Sequence, residues 1–71
     1  MNRVSPKKLL HSKWTAVQPV NKEKHFLVTE VHEDDAGNPQ TVTLEAVHSK
    51  RERELGWRDL RDTAHWRIGW V

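Results

Sequence analysis

The chain reads as a mainly-β domain, and three observations carry that reading. Residues 25–33 and 41–48 are rich in β-branched and aromatic side chains, and a dense turn cluster, Asp34-Asp35-Ala36-Gly37-Asn38-Pro39-Gln40, separates them. The second run alternates: Val42, Leu44, Ala46 and His48 fall on one side, Thr41, Thr43, Glu45 and Val47 on the other, the period of a half-buried strand. Three of the four tryptophans, Trp57, Trp66 and Trp70, lie in the last fifteen residues and are placed to close over what precedes them. A buried Trp removes roughly 150–250 Å² from water, on the order of 4–6 kcal/mol as an upper bound. With 71 residues and no cysteine, such terms stand where a disulfide would.

In chain order, Ser5-Pro6 is a helix-start signal, with Ser as cap and Pro at the first helical position. One short turn over residues 7–11 follows, with Leu9 and Leu10 facing inward. Residues 14–17 read as a first strand with Trp14 and Ala16 on one face, ending before Pro19. Residues 20–24 are a polar loop. The strand at 25–33 has imperfect alternation, Phe26 and Val28 facing one way and Leu27 and Val31 the other. Ser49-Lys50 is a tight connection. Residues 51–57 are a strand by the Leu55/Trp57 alternation, although propensity also allows a helix over 50–62. Leu60 tucks behind it, residues 62–65 form a turn capped by Asp62, and residues 66–70 are a short closing strand. Gly69 there leaves space for a backbone crossing close by. The architecture is an antiparallel meander of four to five strands, curled into an SH3-like or Sm-like barrel with one or two helical turns and plugged by four Trp. It forms a single domain, residues 1–71, in which 1–12 is a basic N-terminal segment and 13–71 the β-rich core.

The net charge of +2 hides an uneven distribution. Residues 1–25 hold six Lys or Arg and one acid; residues 26–49 hold five acids and no Lys or Arg. Either the two segments lie together and cancel, or a basic surface is left for nucleic acid or an acidic partner. No stretch approaches the ~20 apolar residues of a membrane span, and no signal-peptide pattern opens the chain, which points to a cytoplasmic protein without a membrane partner.

Several strings act together: Ser12-Lys13-Trp14-Thr15-Ala16-Val17 after Lys8-Leu9-Leu10, Asn21-Lys22-Glu23-Lys24-His25-Phe26, Leu44-Glu45-Ala46-Val47, and Trp57-x-x-Leu60-x-Asp62 leading to Trp66-x-x-Gly69-Trp70. On these the chain resembles a small bacterial tryptophan-rich protein family of unknown function. The resemblance implies no reaction, ligand, partner or functional residue.

The residues speak against an enzyme. Ser5, Ser12 and Ser49 lack a strained elbow, the glycines are scattered at 37, 56 and 69, and Glu33-Asp34-Asp35 sits at a loop tip where solvent keeps carboxylates ordinary. His25, His32 and His48 could approach one another across the hairpin, but no metal-ligand spacing supports a site, and no cofactor is called for. Two binding readings remain. The leading one is a protein-interaction module presenting Trp66 and Trp70 with Arg58, Arg61 and Arg67, its partner an unknown protein and its state monomer or homodimer. The alternative is a single-stranded RNA or DNA binder using Lys7, Lys8, Lys13, Lys22 and Lys24, with Trp14 or Trp66 stacking on bases.

Overall fold

A computed structural model describes residues 1–71 as five antiparallel strands: β1 (Lys13–Val20), β2 (Glu23–Glu33), β3 (Pro39–Ala46), β4 (Glu52–Gly56) and β5 (Trp66–Ile68). Two 3-10 turns, Pro6–Lys8 and Trp57–Arg61, complete it. The sheet order is β4-β3-β2-β1-β5, so the mainly-β class holds. The barrel does not: β4 and β5 each keep a free edge, and the sheet is open. The Trp57–Arg61 turn is the reason. It packs against β3, β4 and β5, and its Trp57 and Leu60 fill the space where a closing strand pair would lie. No helix is long and apolar enough to cross a membrane.

Local chemistry explains the connections. Asn21 and Lys22 both have positive φ, 56° and 62°, the two-residue hairpin turn whose twist matches its strands. The polar loop expected over 20–24 is therefore a tight β1–β2 hairpin, and β1 runs on through Pro19. That proline is tolerated because β5 reaches β1 only along Trp14–Ala16, so Pro19 has no neighbour on that side. In the β2–β3 turn the Asp34 carboxylate accepts the Ala36 and Asn38 N–H groups, each at 2.9 Å. β4 pairs with β3 and sets Leu55 opposite Val42, so the 50–62 helix does not form.

The irregular pattern of β2 comes from a bulge. The register shifts between Val28 and Glu30, and Val31 thereby lands opposite Val42 on the buried side with Phe26 and Val28. Of the two side chains expected on the opposite face, Leu27 stays there, between Lys13 and Glu45, and Val31 moves to the core.

The core covers one face of the sheet: Trp14, Phe26, Val28, Val42, Leu44, Ala46 and Trp66 from the strands, roofed by Leu9, Trp57 and Leu60. Phe26 and Trp66 meet edge to face at 5.4 Å. Three tryptophans are inside; Trp70 is not. Leu9 is fully buried while Leu10 faces solvent, so only one of the pair expected inside is there. The first residues are part of the core assembly, not an appended arm. The Asn2 amide donates to the carbonyls of Leu60 (2.9 Å) and Trp66 (2.8 Å), and Val4 packs on the core. Ser5 occupies the cap position of the first 3-10 turn without a side-chain capping bond.

Candidate functional site

The segment after β5 turns back across the sheet's other face. Gly69 makes the turn at φ 80°, and its N–H donates to the Lys13 carbonyl at 2.8 Å. A Cβ built there meets nothing within 4 Å, so its conformation, not a close backbone crossing, is what calls for glycine. Thr15, on the strand face opposite Trp14, is buried by this segment. Its hydroxyl donates to the Gly69 carbonyl (2.6 Å) and accepts the Val71 N–H (3.1 Å). The Trp70 indole N–H donates to the Phe26 carbonyl at 2.9 Å. The Lys13 ammonium lies 4.8 Å from the Trp70 ring centre and the His25 ring 6.1 Å from it. Trp70 remains 41% exposed, against 3–7% for the other three.

The sequence-predicted Trp/Arg surface is divided between the two faces. Trp66 is buried in the core, and Arg58 and Arg61 lie over the ring of Trp57 at 5.5 and 5.2 Å. Arg67 lies on the opposite side of β5 from Trp66, lining a small recess with Thr15, Lys24 and Val71. Of the five residues, Trp70 and Arg67 belong to the outer face; the other three belong to the core or its cover. Arg53, not singled out by the sequence, reaches from β4 over Trp66 (5.6 Å) and Phe26 (5.8 Å). It shields the open side of the core.

The lysines sort into two grooves. Lys8 and Lys13, with Arg3 and His11, line a groove of about 700 Å³ between the N-terminal segment and the β1/β5 end. Lys22 and Lys24, with His25 and His48, line a second of about 520 Å³. Trp70 touches a member of each, Lys13 and His25. Lys7 is exposed on the first 3-10 turn and lines neither. Trp14, like Trp66, is buried and offers no face to a base.

The opposite charges do not neutralise one another through contact. A single Lys/Arg–carboxylate ion pair exists, Arg51–Glu23 at 3.8 Å. The acids collect on the far strands: Glu45 lies opposite Glu52, and Glu30 and Glu54 flank His32 at 3.6 and 3.4 Å. His25 and His32 are thus engaged separately, and no three His, Asp or Glu side chains are disposed to hold a metal ion together. In the turn before β5, Asp62 accepts from His65 (2.7 Å) and the Ala64 N–H (2.9 Å). Those two hydrogen bonds hold its carboxyl below the ordinary 3.8.

These features sit almost wholly within the span a known family shares. The family model for tryptophan-rich proteins (DUF2389) matches residues 12–71. The chain belongs to that family. The DUF2389 span takes in all five strands, the buried Trp14, Trp57 and Trp66, and the exposed Trp70, while Leu9 and the groove-lining Arg3 and Lys8 precede it. No curated protein and no solved structure matches the chain.

Proposed function

We propose that this member of the tryptophan-rich family is a small cytoplasmic interaction module, without chemistry of its own, that holds a protein partner through the outer face around Trp70. The observation behind the reading is the contrast among the indoles: three are sealed, and Trp70 alone stands open, with the Lys13 ammonium, which makes no ion pair, 4.8 Å from its ring centre. A half-exposed tryptophan is the side chain most often found as a binding anchor. Ser12, which lines the larger groove, has its hydroxyl committed to the Leu9 carbonyl and the Trp14 indole, so it is no free nucleophile. The absence of cysteine agrees with a reducing compartment.

The test is a native pull-down with tagged wild type and Trp70→Ala, each with and without nuclease. A protein retained after nuclease and lost with Trp70→Ala is the expected result. The alternative reading, single-stranded RNA or DNA held by Lys7, Lys8, Lys13, Lys22 and Lys24, draws support from Lys13 lying on the Trp70 ring. Nuclease-sensitive retention that falls steeply with salt would replace the first reading with the second.

A further inference from the structure

We infer that the groove at the free edge of β5 docks an extended, acidic segment of a partner protein; this rests on the interaction reading above and adds a second contact surface, which Trp70 does not line. The groove's volume of about 700 Å³ is within the roughly 300–1,000 Å³ of pockets that hold ligands. Its floor is apolar, from Val4, Trp14 and Ile68, and its rim carries Arg3 and Lys8; Lys13 also lines it, but its ammonium lies over the Trp70 ring. No Asp or Glu lines it, and neither Arg3 nor Lys8 joins an ion pair anywhere in the molecule. An unneutralised cluster of cations over an apolar floor matches a chain that offers carboxylates and apolar side chains together.

The edge argues for an extended backbone. Gly69 bonds β1 through Lys13, and alternation along an antiparallel strand turns the N–H and C=O of Ile68 away from β1, toward the open side. The same edge is already used once by a polar group, the Asn2 amide at the Trp66 carbonyl. An added strand would place alternate side chains on the apolar floor and its acids at the rim. By contrast β4, the other free edge, is guarded by the exposed Glu52, Arg53 and Glu54. A nucleic-acid strand fits the groove less well, because Trp14 beneath it is only 3% exposed and cannot stack on a base.

The experiment is an NMR titration of the isotopically labelled full chain with three probes: a short peptide alternating Glu and Val, its Lys/Val counterpart, and an oligo-dT strand. The acidic peptide is expected to shift the amides of Ile68, Gly69 and Ser12. Combining Arg3→Glu with Lys8→Glu, both exposed, should weaken it about tenfold or more while the unfolding midpoint stays put. Equal binding of the Lys/Val peptide in the groove would overturn the acidic specificity and leave the interaction reading standing. Shifts confined to the surroundings of Trp70, or none from any probe, would overturn the groove as a site, with the pull-down still deciding the broader reading. Groove shifts from oligo-dT in place of the peptide would overturn both.

Discussion

Thr15 shows how much one hydroxyl can hold. It is 2% exposed, and a buried hydroxyl without partners would cost about 1–3 kcal/mol, yet it both donates and accepts toward the segment that covers it. Thr15→Val keeps the β-branched shape that suits a strand and removes both bonds, leaving the Gly69 carbonyl and Val71 N–H unpaired. The expected result is a loss of about 1–3 kcal/mol in urea unfolding, with Trp70 emission shifting to the red as its ring loosens. Nothing adjacent in sequence announces this role. On the strand pattern Thr15 belongs to the face opposite Trp14, and the group that buries it arrives 54 positions later.

Among the elements, the β1–β2 hairpin was the least legible. Asn-Gly announces such a turn; Asn21-Lys22 does not, because lysine at positive φ carries a steric cost of about 1–2 kcal/mol. Lys22→Gly should therefore stabilise the domain by roughly 0.5–1 kcal/mol after glycine's own entropy is counted, measured as a raised urea midpoint. The bulge in β2 shows in the sequence only as a break in pattern: Phe26, Val28 and Val31 depart from strict alternation because one extra residue sits between the last two. The β2–β3 hairpin, by comparison, was plain from Asp34, Gly37 and Asn38. Leu55 and Trp57 alternate as expected, but the strand stops at Gly56 and Trp57 opens a 3-10 turn, which short-range propensity does not resolve.

For the molecule as a whole, the strand-rich class followed from alternation, whereas closure did not, since it depends on what fills the gap between β4 and β5. Leu60 fills it at 0% exposure. Leu60→Ala should cost about 2–5 kcal/mol, a large share of the stability of so small a domain, while Leu10→Ala, on a side chain 51% exposed, should stay within about 0.5 kcal/mol. Paired thermal melts of the two variants check this. The larger groove was out of reach of the sequence for a related reason. Its walls come from Arg3, Val4 and Lys8 at one end of the chain and Ile68 and Gly69 at the other, and the bonds from Asn2 across to Leu60, Arg61 and Trp66 bring these ends together.

The turn at Gly69 has a practical consequence for anyone who studies this protein in solution. Of four indoles, one alone is substantially open to water, and it sits under the ammonium of Lys13. A dissolved collisional quencher therefore addresses a single fluorophore, and the local field draws iodide toward that ring while turning caesium away. The molecule carries an unlabelled, site-resolved optical sensor on the very face where a partner would sit.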